Sequence, residues 1–187
     1  IYALQSKNAE ELFESSSGGA FRLVADSVIQ QDGAVVGCIW NEKMEPVLTI
    51  ADSLDGLRPM QGSKYLSSST DHTYSQTKKL LDAGRMVLFT GTPCQCAGLL
   101  NYLRKPYDNL ITMDFLCHGV PSQMAFDAYR EHCEKHRSGK MSQYRCRDKS
   151  AHGWAISESY CVNGKKYTAH GMTSPYLFGF ISGYFNR

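Results

Sequence analysis

Two short apolar stretches, at 86–90 and 110–116, are joined by a segment whose apolar residues recur at helical spacing. That strand–helix–strand order constrains the fold more than any other feature. Antiparallel neighbours can be joined by two residues, but parallel ones need a crossover of a dozen or more. Such crossovers are right-handed in nearly every known sheet. Here the crossover opens on Gly91-Thr92-Pro93-Cys94 and carries Cys96, Leu99, Leu100 and Leu103 on one predicted stripe. Residues 70–83 read as a preceding helix with Tyr74, Thr77 and Leu81 inward and Gly84 as its stop. Pro121-Ser122 starts a following helix that runs to about Arg137. The pattern predicts an α/β fold with a parallel βαβ core.

The flanks add antiparallel strands to that core. Residues 34–40 and 46–51 read as a hairpin around a turn at 41–45. Strands near 143–147 and 155–162 precede an Asn163-Gly164 hairpin turn, and a helix follows from about Ser174. Upstream, Phe21, Val24, Ala25 and Val28 fall at i, i+3, i+4 and i+7, an amphipathic helix closed by Gly33. Asp52-Ser53 caps a short helix near Leu57. The expectation is a mixed sheet, with antiparallel hairpin strands at its flanks, in a single domain spanning 1–187.

Composition excludes several function classes. With 42% hydrophobic residues the chain can bury a core, and a net charge of +2 lacks the basic footprint of a nucleic-acid binder. No apolar run approaches the roughly 20 residues of a membrane span. Seven cysteines, an odd number and sparse for a disulfide scaffold, point to a reducing compartment, the cytoplasm. The chain opens on Ile1 without a leader pattern and stops at Arg187, so both ends read as cut from a longer polypeptide.

Reactive residues gather where the two core strands end. Cys94 follows the first, and Cys117-His118 follows the second. Ligands bind beyond the carboxyl ends of strands in open α/β sheets. Neighbouring strands lie about 4.8 Å apart, so Cys94 and Cys117 would share one rim. Such a pair can ligate iron or zinc or cycle as a dithiol, and two buried, inert thiols fit the spacing equally. Cys96 and Cys133 fall on core stripes, while Cys38, Cys146 and Cys161 occupy strand positions as small hydrophobes. The run Glu14-Ser15-Ser16-Ser17-Gly18-Gly19 reads as flexible and polar, and sits before a helix where backbone N–H groups suit an anion. Gly62-Ser63-Lys64-Tyr65 puts a cation and an aromatic ring on one bend, which suits a phosphate and ring stacking or a plain surface loop.

Together these segments resemble the coenzyme F420 hydrogenase/dehydrogenase beta-subunit family, in its flavin-binding C-terminal domain. The motifs carrying the resemblance are Glu14–Gly19, Arg58 with Gly62–Tyr65, Gly91-Thr92-Pro93-Cys94-Gln95-Cys96-Ala97-Gly98-Leu99, Cys117-His118-Gly119-Val120-Pro121-Ser122, and Arg147-Asp148-Lys149 with Gly153-Trp154. The resemblance implies an FAD-dependent oxidoreductase that exchanges electrons between a hydride donor or acceptor of deazaflavin type and iron–sulfur clusters. It assigns flavin contacts to Ser16, Ser17, Gly18, Gly19, Gly62, Ser63, Lys64, Tyr65, Gly91, Thr92 and Pro93. Cys94 and Cys117 are the implied ligands of a 4Fe-4S cluster, and the further Cys-x-x-Cys pair of that family has no counterpart in this sequence. A cluster takes four thiolates, so an intact one is expected only in a longer parent, beside a ferredoxin-like module. Cys96 stands where relatives carry an aliphatic residue. His118 is the one candidate proton carrier, its ordinary pKa suiting exchange near neutrality, with capping or packing as its other role. Two other functions remain open: a non-catalytic α/β module that docks a partner, and a thiol–disulfide oxidoreductase using Cys94 with Cys96 or Cys117.

Overall fold

The computed structural model describes residues 2–186 and divides into two compact units. The first comprises the chain to Gln61 and Ser68–Cys117; the second comprises Gly62–Ser67 and the chain from His118 onward.

In the first unit α1 (Ala9–Glu14) and α2 (Ala20–Ile29) precede the hairpin β1 (Ala34–Trp40) and β2 (Pro46–Ala51). Then come α3 (Leu54–Leu57), α4 (Thr73–Asp82), β3 (Val87–Gly91), α5 (Pro93–Leu103) and β4 (Leu110–Asp114). The sheet order is β2-β1-β3-β4, antiparallel between β1 and β2 and parallel across β1, β3 and β4. The mixed sheet with a parallel core is therefore present.

Successive residues of its central strands point to opposite faces, and helices cover both. Val36, Val87 and Phe89 pack with Leu81 of α4 and with Leu99 and Leu103 of α5. Val35 and Leu88 pack on the other side with Ala25 and Val28 of α2, and with Leu57 and Met60. This two-sided burial explains why β1 and β3 read as continuous apolar runs. The predicted inward stripes of α2 and α4 hold, with Thr77 and Leu81 buried. The α5 stripe needs one correction, because Leu100 is 51% exposed. It lies beside the buried arc that Cys96, Leu99 and Leu103 define.

The second unit contains α6 (Gln123–Arg137), β5 (Met141–Arg145), α7 (Lys149–His152), β6 (Ser157–Val162), β7 (Lys165–His170) and α8 (Pro175–Ile181). Its strands form a separate antiparallel sheet, β5-β6-β7, rather than extending the first one. Asn163 and Gly164 both take positive φ, at 51° and 75°, as the expected two-residue hairpin turn requires. Ser122 and Ser174 cap α6 and α8 by accepting bonds from Ala125 N–H and Leu177 N–H. Phe126, Tyr144, Tyr176 and Leu177 are buried in its core.

Candidate functional site

The carboxyl ends of β3 and β4 lie side by side in the first unit. Gly91 pairs with Asp114 at the last position of their parallel register, so Cys94 and Cys117 each lie three residues past a matched pair. Both thiols are exposed, which removes the reading of two buried, inert cysteines. Cys94 sits in the first turn of α5, with its Sγ 3.1 Å from the Thr92 hydroxyl. A capping box closes that helix end, Gln95 Oε1 accepting from the Thr92 N–H at 3.0 Å. Gln95 Nε2 donates in turn to Ser68 Oγ at 2.8 Å, and Tyr74 donates from its hydroxyl to the Gln95 carbonyl at 2.9 Å. A Cβ on Gly91 would come 2.9 Å from Gln95 Oε1 and 3.2 Å from Gln95 Cβ, so a side chain there would press on the glutamine that closes the capping box. Cys96 is buried as expected. Its thiol is pushed up to about 11 by burial and by the nearby Asp114 and Cys94, so it stays neutral at physiological pH.

The serine–glycine run is more ordered than its composition predicts. Helix α1, which no sequence pattern announced, ends on Ser15, whose buried hydroxyl donates to the Glu11 carbonyl at 2.7 Å. The Gly18 carbonyl accepts from the Ser6 N–H at 2.8 Å. A Cβ on Gly18 would lie 2.2 Å from the Leu4 carbonyl oxygen, so this glycine serves the packing of the chain's own N-terminal segment. Gly19, with φ of +87°, begins α2 without any side-chain capping bond. The first turn of α2 therefore keeps its positive end uncapped by a side chain, beside Ser16 and Ser17.

The remaining expected residues belong to the second unit. Gly62 takes φ of +80° with nothing within 4 Å of where its Cβ would stand. Lys64 Nζ donates to the Gly62 carbonyl at 3.2 Å, curling the side chain back over the bend. Tyr65 stacks on Phe180 with ring centroids 4.6 Å apart. His118 lies edge-on to Phe180 and its Nε2 meets the Ile181 carbonyl at 3.1 Å, so that nitrogen carries the proton of the contact. Thus Ser16, Ser17, Gly18, Gly19, Gly91, Thr92, Pro93, Cys94 and Cys117 lie in the first unit, and Gly62, Ser63, Lys64, Tyr65 and His118 in the second.

Several residues around these were not found from the sequence. Cys146 lies one position beyond β5 rather than within it, and is buried; burial outweighs the bond it accepts from Tyr65, and its thiol is pushed up to about 12. Glu158 is wholly buried in β6, where Tyr129 and Tyr144 hydroxyls donate to its carboxyl oxygens, the latter at 2.7 Å. Burial raises its pKa despite those bonds. Alternating strand patterns give no warning of an inward Glu. Its partners lie 29 and 14 residues away.

Within the first unit, the N–H groups of α2 that no side chain caps and the neighbouring serine hydroxyls have the chemistry to suit a diphosphate. Within the second, Lys64 supplies a cation and Tyr65 an aromatic face, groups that suit a flavin. The same test fails for a 4Fe-4S cluster. Among the described residues no three of His, Cys, Asp or Glu gather as a metal site requires, and Cys94 and Cys117 supply two of four thiolates.

Fold and rim define a mixed α/β protein with its reactive residues at the carboxyl ends of parallel strands. Residues 84–168 match the family described as the C terminus of the coenzyme F420 hydrogenase/dehydrogenase beta subunit. Over that stretch the chain is similar to this beta-subunit family, the one its motifs resemble. Among solved structures, a chain of the xenon-derivatised F420-reducing NiFe hydrogenase complex from Methanosarcina barkeri shares the fold, with a TM-score of 0.59 at 15% identity. The alignment covers 100% of this chain and 64% of that one. No curated protein sequence matches the chain.

Proposed function

We propose that this chain is the flavin-binding part of an oxidoreductase that passes electrons between a hydride carrier of deazaflavin type and iron–sulfur partners. The observation that carries the reading is the Gly91–Cys94 turn at the carboxyl end of β3, inside the stretch matched to the beta-subunit family. FAD, when bound, supplies the interconversion of hydride and single-electron chemistry. The protein's share is placement and electrostatics. Ser16, Ser17 and the first N–H groups of α2 are assigned to a phosphate of the dinucleotide, and Gly18 and Gly19 set the backbone that presents them. Gly91, Thr92 and Pro93 shape the strand-to-helix turn, with Thr92 held in place by Gln95. Lys64 offers positive charge, Ser63 a hydroxyl, Gly62 the room for close approach and Tyr65 a ring face. His118 is the proposed proton carrier through Nδ1, because Nε2 is bonded to the Ile181 carbonyl. Cys94 and Cys117 are proposed as half of a thiolate set whose other members lie outside the described residues. A ferredoxin-like module or protein is the proposed electron partner, and the cytoplasm the proposed location. No helix among the described residues is long and apolar enough to cross a membrane.

Titration with FAD, followed by quenching of flavin fluorescence, tests the reading. Saturable one-to-one binding is expected, and absence of binding at tens of micromolar would overturn it. Lys64→Ala should weaken FAD binding about tenfold, since a hydrogen bond to a charged group is worth about 1.5–3 kcal/mol. Affinity equal to the unmodified protein would remove Lys64 from the site.

A further inference from the structure

We infer that Tyr176 and Cys146 are positioning residues for the Gly62–Tyr65 bend, holding the Tyr65 backbone from two sides. The inference rests on the flavin reading of that bend and extends it to residues that do not themselves face the cofactor. Residues 62–67 have no helix or strand of their own, so no ladder of backbone bonds fixes their conformation. What fixes Tyr65 comes from side chains. The Tyr176 hydroxyl donates to the Tyr65 carbonyl at 2.7 Å, and the Tyr65 N–H donates to Cys146 Sγ at 3.4 Å. Both backbone polar groups of one residue are thus satisfied by side chains from α8 and from the segment after β5.

Further contacts serve the Tyr65 side chain itself. Arg147 Nη1 donates to its hydroxyl at 3.3 Å, and its ring is stacked on Phe180, also from α8. Downstream, Leu66 is buried and the Ser67 N–H donates to the Pro121 carbonyl at 3.2 Å.

Tyr176 and Cys146 suit the task because neither is free to move or ionise. Tyr176 is 1% exposed, stacked on Tyr129 at 5.5 Å and edge-on to Phe126 at 5.4 Å. Its hydroxyl therefore projects from a locked ring. Cys146 is also 1% exposed, and its neutral sulfur is a weak acceptor that fills its pocket. Fixing a bend before the ligand arrives spares the ordering cost at the moment of binding.

The test compares Tyr176→Phe with the unmodified chain. The substitution deletes one hydroxyl and keeps the ring. Amide hydrogen exchange should rise at least tenfold within 62–67 while the rest of the second unit keeps its protection. FAD affinity, read by fluorescence, should fall several-fold, and that fall should vanish when Lys64 and Tyr65 are already alanine. Unchanged exchange at 62–67 would overturn the positioning role, as would raised exchange with FAD affinity unaltered. If exchange rises but even the unmodified chain binds no FAD, the restraint on the bend stands and the flavin reading falls. Cys146→Ala provides the same readouts should Tyr176→Phe fail to fold.

Discussion

Under native conditions a thiol-specific reagent should label Cys94 and Cys117 first, with Cys96 and Cys146 slower by a hundredfold or more. Thiol reactivity follows the thiolate fraction and access to the sulfur. Cys94 and Cys117 are exposed, while Cys96 and Cys146 are 5% and 1% exposed. Burial also raises the latter two thiols from 9.0 to about 11 and about 12. Each unit of pKa is a factor of ten in thiolate, so ionisation alone slows Cys96 roughly a hundredfold and Cys146 roughly a thousandfold. Restricted access adds to both. The half-buried Cys38 and Cys161 should fall between the two groups. Mass spectrometry of peptides from a timed alkylation gives the order. Labelling of Cys96 at the rate of Cys94 would show that the first turn of α5 does not present its two cysteines to opposite environments.

Asp148→Ala should cost the second unit about 3 kcal/mol. The residue is 3% exposed, yet its carboxylate serves three elements at once. It accepts from the Ser150 N–H at 2.7 Å at the start of α7, from the Ser159 hydroxyl at 2.5 Å on β6, and from Lys166 Nζ at 2.7 Å on β7. Loss of a helix cap costs about 1 kcal/mol, and charge-assisted bonds are worth about 1.5–3 kcal/mol each before compensation by water. Ser159 would also be left buried without its acceptor. The measurement is urea unfolding followed by a probe in the second unit, and a loss below about 1 kcal/mol would refute the estimate. The pH dependence has a definite sign. Burial opposes ionisation of Asp148, but bonds from Lys166, Ser150 and Ser159 outweigh it and hold the folded carboxyl well below its usual 3.8. The stabilisation is therefore fully present above that usual value and is lost as acid takes the pH down toward the folded one. Asp148→Asn should flatten this acid limb.

What could be read from the sequence was whatever repeats at short range. The bounds of β1 and β2 follow from two short apolar runs around an Asn41-to-Glu45 turn, and Ser122 and Ser174 announce their helices as caps. The parallel pairing of β3 with β4, ending on Gly91 and Asp114, also follows from the strand–helix–strand pattern. Longer-range relations were hidden. The C-terminal hairpin gave no sign that it would pair only with β5 and form a sheet of its own. The order in Ser15–Gly19 depends on Ser6 and on a carbonyl at Leu4. Likewise, the restraint on Tyr65 comes from side chains 81 and 111 residues away. No local periodicity encodes such partners.

The membership of Gly62–Ser67 in the second unit, while both its flanks belong to the first, has a genetic corollary. The polypeptide passes from one unit to the other three times, so no single stop codon or restriction site separates them cleanly. A clone ending at Cys117 would leave six orphaned residues inside its product, and one beginning at His118 would lack the tyrosine that Tyr176 and Cys146 grip. Domain shuffling at this locus would have to transplant the whole stretch or splice the hexapeptide across as well.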